Sequence, residues 1–355
     1  MDAGKIVLNV FLLLVGFVLL VKGADFFVDG ASGIAKKLKV STFIIGVTVV
    51  ALGTSAPELA VTIVDAVGGE GTLITGNILG SNIINIFLIL GISAVICKLP
   101  VEKTTRFIDL PFLIITSTLF VVLGFFGDSF EWWEGLILVL LYIGFMVYNI
   151  LLAKRQSKAL LEEATATVAT FEGDKAEIMP ANRWEKIKAG YENLQSKTWF
   201  LIILTVAGLG MVVGGAELVV NSAQYIAKDV FKIPAEIVAL TVVAFGTSLP
   251  ELVTSVSAAK KGDVGIATGN IIGSNIANIL LIGGVGALCT GGKGLPFSME
   301  GVISGLVALF AAVIIFSSCW GKTKSLGRIF GIICLLCLVA YYVFVFLNLY
   351  VLKLY

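Results

Sequence analysis

The sequence predicts an all-α membrane protein of ten transmembrane helices, arranged as two inverted five-helix repeats with helices 2 and 7 broken. Three observations lead to this prediction. Hydrophobic residues make up 58% of the 355 residues and charged residues only 14%, more apolar surface than a soluble domain of this length can bury. Apolar runs long enough to cross a bilayer recur along the chain. One short motif occurs once in each half.

The apolar runs set the order of the predicted spans. They lie near 6–34, 41–67, 72–97, 107–127, 132–153, 199–227, 235–259, 264–289, 298–318 and 327–350. The polar stretch 154–198 separates the fifth span from the sixth and holds eight Lys or Arg and seven Asp or Glu. We interpret it as a soluble linker between two repeats, 1–153 and 199–355.

The basic residues predict an orientation for these spans. With the N-terminus outside, 19 of the 25 Lys and Arg fall in inside segments and only five in outside segments. Cytoplasmic loops carry an excess of Lys and Arg. We therefore expect both termini outside, the linker in the cytoplasm, and a multi-pass protein of the plasma membrane.

The duplicated motif indicates internal symmetry. Residues 51–59 read Ala-Leu-Gly-Thr-Ser-Ala-Pro-Glu-Leu, and residues 244–252 read Ala-Phe-Gly-Thr-Ser-Leu-Pro-Glu-Leu. Because five spans is an odd number, the second half must enter the membrane with the opposite polarity. Inverted repeats of this kind are typical of secondary transporters, whose substrate site lies at the midplane. Ten residues of the first half recur 193 positions later: Thr54, Ser55, Pro57, Glu58, Gly76, Asn77, Gly80, Ser81, Asn82 and Asn85.

Composition excludes several other classes of protein. A net charge of +1 gives no basic surface for a nucleic acid. The absence of histidine removes the usual zinc ligand and the usual proton shuttle. No segment indicates a protein partner or a cofactor, and the hydrolase alternative lacks a nucleophile–base motif. Small inorganic cations and the lipid bilayer are the expected partners, and no enzymatic activity is expected.

Each motif supplies oxygen ligands at membrane depth. Pro57, with Gly53 before it, should break the helix and free backbone carbonyls, which survive in a bilayer only beside protein, water or an ion. Thr54 and Ser55 lie four and three residues before Glu58, so all three can point to one side. A buried carboxylate with hydroxyls and carbonyls suits a hard cation such as Ca²⁺ or Na⁺.

The third and eighth spans supply the other wall of the expected site. Asn77, Ser81 and Asn85 are spaced by four residues and share a helix face, as do Asn270, Ser274 and Asn278. Membrane Ser, Thr and Asn often only tie helices together, and this role is the one expected for Asn82 and Asn275, which lie off the ligand face. For four acidic residues near span ends we expect interfacial exposure: Asp25, Asp29, Asp109 and Glu217.

These motifs resemble the two alpha-repeats of the cation/Ca²⁺ exchanger superfamily, and its Na⁺/Ca²⁺ exchanger branch most closely. The resemblance implies that Glu58 and Glu251 are carboxylates shared by Ca²⁺ and Na⁺, and that spans one and six slide against the other eight. It implies that Thr54 and Thr247 supply backbone carbonyls to Ca²⁺, and that Asn85 lies near the centre. The implied ligands of flanking Na⁺ sites are Ser55, Ser81, Ser248 and Ser274, with the carbonyls of Ala51 and Ala244.

At one position this sequence departs from the pattern of the exchanger family. Relatives commonly carry aspartate where this chain has Asn278, so the centre holds only two carboxylates. Two negative charges balance one Ca²⁺ or two Na⁺, and a third Na⁺ would leave excess positive charge in a low-dielectric site. The missing aspartate also argues against K⁺ coupling, whereas a membrane glutamate leaves H⁺ coupling open. The sequence therefore predicts an antiporter exchanging Ca²⁺ for Na⁺, with a Ca²⁺/H⁺ antiporter as the alternative and a cation channel as a rival from another class.

Overall fold

A computed structural model describes residues 3–68, 71–127, 129–168, 194, 197–231, 244–320 and 325–347. Four two-residue strands lie in the connections between helices: β1 (Leu99–Pro100), β2 (Ser129–Phe130), β3 (Leu295–Pro296) and β4 (Ser325–Leu326). The helices are α1 (Ala3–Leu38), α2 (Thr42–Thr54), α3 (Ala56–Gly68), α4 (Thr72–Ile84, continued as Asn85–Leu90 and Gly91–Ile96), α5 (Thr105–Gly127), α6 (Trp132–Val168), α7 (Thr198–Val230), α8 (Ala244–Thr247), α9 (Leu249–Lys261), α10 (Val264–Cys289), α11 (Met299–Ser318) and α12 (Arg328–Leu347).

These helices confirm an all-α membrane protein. Within the described ranges, eight helices are each long and apolar enough to cross a bilayer, and α2 with α3 forms a ninth, bent span. The predicted seventh span, 235–259, begins in residues outside those ranges, and α8 and α9 are its described part. The count of ten therefore stays a prediction. Much of the predicted linker 154–198 also falls outside the described residues, and α6 continues into it as far as Val168.

Both duplicated motifs break their helices, as predicted. Between α2 and α3 the chain bends by 42°, at Ser55, whose backbone torsions are φ −83° and ψ 6°. Ser248 occupies the same place between α8 and α9, with φ −88° and ψ 4°. Pro57 and Pro250 each lie at the second position of the following helix, where the missing N–H removes no hydrogen bond.

The four strands pair one half of the chain with the other. β1 pairs with β4, and β2 pairs with β3. In each half, the first strand (β1 or β3) lies between the third and fourth helical spans, and the second strand (β2 or β4) lies between the fourth and fifth. Each pair therefore consists of the first strand of one half and the second strand of the other. Exchanging the halves therefore converts one strand pair into the other, as expected of an inverted repeat.

Helices α4 and α10 form the centre of the bundle and are almost entirely buried. The Gly269 and Gly273 pair lets α10 lie directly against α2, because an added Cβ at Gly273 would be 2.6 Å from the carbonyl oxygen of Val47. This contact is the close helix approach that a small-residue pattern allows. It brings the first motif against the central helix of the opposite half.

Helices α1 and α7 form a separate, tightly packed pair on the flank. Glycines occur at intervals of seven in α1: Gly16 faces Gly215 of α7, Gly23 faces Gly208, and Gly30 faces Thr205. An added Cβ at Gly23 would lie 2.8 Å from the backbone nitrogen of Val212. Most of α1 is exposed on its other side. The two helices are thus in backbone contact with each other while much of α1 faces lipid.

Candidate cation site

Two carboxylates lie buried at the helix breaks. Glu58 is in the first turn of α3 and Glu251 in the first turn of α9, and their exposed fractions are 2% and 1%. The C-terminal ends of α2 and α8 meet the same region, and the carbonyls at a helix C-terminus carry partial negative charge. The local fold therefore concentrates negative charge at two points inside the bundle.

Hydrogen bonds connect these two points across the halves. Ser55 Oγ donates to Glu251 Oε1 at 3.0 Å, and Ser274 Oγ approaches the same oxygen at 3.5 Å. Ser55 lies only three residues before Glu58, so this hydrogen bond brings the first motif to the carboxylate of the second. The structure thus places the two predicted carboxylates in one site built from both motifs.

The site contains buried oxygen atoms that lack hydrogen-bond partners among the described residues. A buried polar atom without a partner costs roughly 1–3 kcal/mol, so a cluster of them needs an explanation. A hard cation satisfies several oxygens at once. The unpartnered oxygens among the predicted ligands are Glu58 Oε2, Glu251 Oε2, Ser81 Oγ, Ser248 Oγ, Asn85 Oδ1 and Asn278 Oδ1.

Two of the predicted amide ligands mark irregular turns in the central helices. Asn85 and Asn278 are the first residues of π-helical turns in α4 and α10, and such turns often occur at functional sites. Both side chains are 1% exposed. Asn278 supplies a neutral amide where an aspartate would add a charge. Within the described part of the chain, no three His, Cys, Asp or Glu side chains come together, so the site charge rests on its two glutamates.

The two Thr–Asn contacts beside the carboxylates are unequal. Thr54 Oγ1 donates to Asn270 Oδ1 at 3.0 Å, and both residues are buried. The repeat-related contact, from Thr247 Oγ1 to Asn77 Oδ1, is 3.5 Å long, and both residues are partly exposed. The Thr54 contact is therefore shorter and more deeply buried than its repeat-related counterpart.

Comparison with known proteins identifies the family. The family model described as sodium/calcium exchanger protein matches residues 8–151 and 200–350. The sodium/calcium exchanger MaX1 of Methanosarcina acetivorans is 34% identical, with 96% of this chain and 99% of that protein covered. The chain belongs to the sodium/calcium exchanger family. The inner membrane protein YrbG of Escherichia coli is 33% identical over 91% of this chain and 92% of its own length.

A solved exchanger structure has the same fold. The sodium-calcium exchanger NCX_Mj, from crystals soaked with Na⁺ and Sr²⁺, superimposes with a TM-score of 0.76 and 31% identity over 95% of this chain and 99% of its own. The family and the superposition confirm the resemblance recognised in the alpha-repeats. They also establish a multi-pass membrane protein of an exchanger family that transports Ca²⁺ and Na⁺.

Most residues predicted for the exchanger site are buried. Thr54, Ala51 and Ser81 are buried on the first half, and Ser248 and Ser274 are buried on the second. Ala244 opens α8, but its side chain lies outside the described residues. The roles of these residues as cation ligands stay predictions.

Sequence reasoning missed one residue of the polar network and misplaced another. Ser255 Oγ accepts a hydrogen bond from Asn270 Nδ2 at 2.9 Å. Its position four residues after Glu251, on the same helix face, is the signal that could have found it. The prediction of interfacial exposure is wrong for Asp109, which is only 2% exposed because α5 turns that side chain into the bundle.

Proposed function

We propose that this exchanger is a secondary antiporter that exchanges Ca²⁺ for Na⁺ by alternating access. The observation that carries the proposal is the 3.0 Å hydrogen bond from Ser55 to Glu251, which joins the two motifs around two buried carboxylates. Their combined charge of −2 balances one Ca²⁺ or two Na⁺. Occupancy by one kind of ion then excludes the other, and this exclusion couples the two fluxes.

The proposed ligands follow from the same geometry. Glu58 and Glu251 would bind either ion, because a carboxylate is the preferred ligand of a hard cation. The unpartnered oxygens of Ser81, Ser248 and Asn278 would complete the coordination. The protein is then a transporter and not an enzyme, with the cations as its substrates and without a resident cofactor.

The unequal Thr–Asn contacts support an alternating-access cycle. With both termini outside, as the distribution of Lys and Arg predicts, the Thr54–Asn270 contact lies on the cytoplasmic side of the carboxylates. The looser Thr247–Asn77 contact lies on the outer side. The state described here would then face outward. The α1–α7 pair, in backbone contact through glycines, would move as one body against the remaining helices.

Na⁺ coupling is supported by two relatives named as sodium/calcium exchangers, MaX1 and NCX_Mj. The decisive experiment reconstitutes the purified protein in liposomes and measures ⁴⁵Ca²⁺ uptake against imposed Na⁺, K⁺ and H⁺ gradients in turn. We expect uptake with the Na⁺ gradient alone. Uptake driven by a pH gradient without Na⁺ would instead establish a Ca²⁺/H⁺ antiporter, and ion currents without a coupled gradient would establish a channel.

A further inference from the structure

A chain of hydrogen bonds crosses from α10 to α4 and back at the centre of the bundle. Asn82 Nδ2 donates to the backbone oxygen of Asn275 at 3.3 Å. Asn82 Oδ1 accepts from Asn278 Nδ2 at 3.1 Å. Asn82 and Asn278 are 2% and 1% exposed, so water does not compete for these groups.

The backbone carbonyl fixes the orientation of both amides. A carbonyl oxygen can only accept, so Asn82 must turn its Nδ2 toward Asn275 and its Oδ1 toward Asn278. Asn278 must then present Nδ2 to Asn82. Its own Oδ1 is left on the other side, buried and without a partner among the described residues.

In the described structure, this chain of hydrogen bonds exists on only one side of the inverted repeat. Asn275 is the repeat partner of Asn82, but neither side-chain atom of Asn275 has a hydrogen-bond partner in the described structure, and neither does Asn85. Asn278 therefore has a fixed amide orientation, which no contact described here gives to Asn85. The difference matters because Asn278 stands where the family commonly has a carboxylate, whose two oxygens need no such orientation.

We infer that Asn82 is a positioning residue, which holds the Asn278 amide with its oxygen toward the transported cation. This inference rests on the proposed cation exchange at the same site. A cation is attracted to the amide oxygen and repelled by the amide N–H₂ group. Without Asn82, the Asn278 amide could turn either face to the ion, and its contribution to binding would fall.

The experiment compares Asn82→Ala with Asn82→Leu, which fills a similar volume without polar atoms. The KM for Ca²⁺ and the maximal rate of ⁴⁵Ca²⁺ uptake are measured in proteoliposomes. We expect each variant to raise KM about five- to tenfold, the effect of one buried hydrogen bond, with the maximal rate changed less. The control is Asn149→Ala, an equally buried residue on α6 whose side chain, among the described residues, bonds to Phe145 of its own helix.

A second background separates positioning from structural support. In an Asn278→Asp protein the carboxylate offers an oxygen in either orientation, so adding Asn82→Ala should change KM less than twofold. An equal rise in KM in both backgrounds, or an unchanged KM in the wild-type background for a folded Asn82→Leu protein, would overturn the inference. If the unmodified protein itself shows no gradient-driven Ca²⁺ uptake, it is the proposed exchange that fails.

Discussion

Replacing Glu251 with glutamine should abolish Ca²⁺ exchange. Glutamine keeps the side-chain shape and an oxygen that can accept the hydrogen bonds from Ser55 and Ser274, but it removes one of two buried charges. Two unit charges 4 Å apart interact by about 4 kcal/mol at an effective dielectric constant of about 20. A divalent ion therefore loses about 8 kcal/mol of attraction and a monovalent ion about 4 kcal/mol.

These values are gross attractions, because removing a charge also removes the cost of burying it. If only about a quarter of the attraction survives as a net loss, Ca²⁺ affinity still falls about 30-fold. Na⁺ should be affected less than Ca²⁺, because its interaction with each carboxylate is half as strong. The sign of this difference does not depend on the dielectric constant.

The assay is Na⁺-dependent ⁴⁵Ca²⁺ uptake in proteoliposomes containing Glu251→Gln or Glu58→Gln. Glu300→Gln is the matched control, since Glu300 is an exposed residue at the start of α11. With Ca²⁺ held well below KM, we expect the first two variants to show no more than a few per cent of normal uptake and the third to show normal uptake. Normal uptake in either of the first two would refute a site built on both carboxylates.

Three further predictions concern the ion-free protein and its moving parts. Ser55→Ala should lower the ion-free melting temperature, because it removes a buried hydrogen bond worth about 0.5–1.5 kcal/mol. Ser248→Ala removes a hydroxyl without a described partner and should leave that temperature unchanged. Gly23→Leu should stop uptake by forcing α1 away from α7. The control Gly144→Leu should transport normally, because its Cβ would meet nothing within 4 Å among the described residues. Equal transport rates in the two variants would contradict the paired movement. Lys261→Met breaks a partly exposed link from α9 to two aspartates on α1, which is worth at most about 1 kcal/mol. It should shift side-specific cysteine labelling toward the inward state, by up to about fivefold. Unchanged labelling would show that the link does not bias access.

The sequence was sufficient to predict the features that depend on local chemistry. A proline four residues after a glycine, at membrane depth, predicted the breaks at Ser55 and Ser248. The duplicated motif and an odd number of spans predicted that Glu58 and Glu251 would come from halves of opposite polarity and share one site. The same reasoning correctly assigned Asn82 to helix–helix hydrogen bonding, but the side chain of Asn275, for which the same role was predicted, has no partner among the described residues.

The remaining features depend on how the helices cross, which spacing does not specify. The bond from Asn278 to Asn82 requires a particular crossing of α4 and α10, and a small rotation of either helix would break it. The burial of Asp109 depends in the same way on the rotation of α5. Nor could the sequence predict the unequal Thr–Asn contacts, because the two motifs are nearly identical and the difference belongs to the conformation.

That inequality is what a membrane exchanger built from an inverted repeat requires. If the Thr54 and Thr247 contacts were both tight, the site would be sealed from both sides, and if both were loose, ions would leak down their gradients. One must be closed while the other is open, and in the proposed cycle the longer, partly exposed Thr247 contact is the one on the open side. Because the opposite arrangement is obtained by exchanging each residue with its partner 193 positions away, the two arrangements use nearly the same interactions. Their free energies can then lie within a few kcal/mol, so that the binding of an ion on either side is enough to shift the population from one to the other.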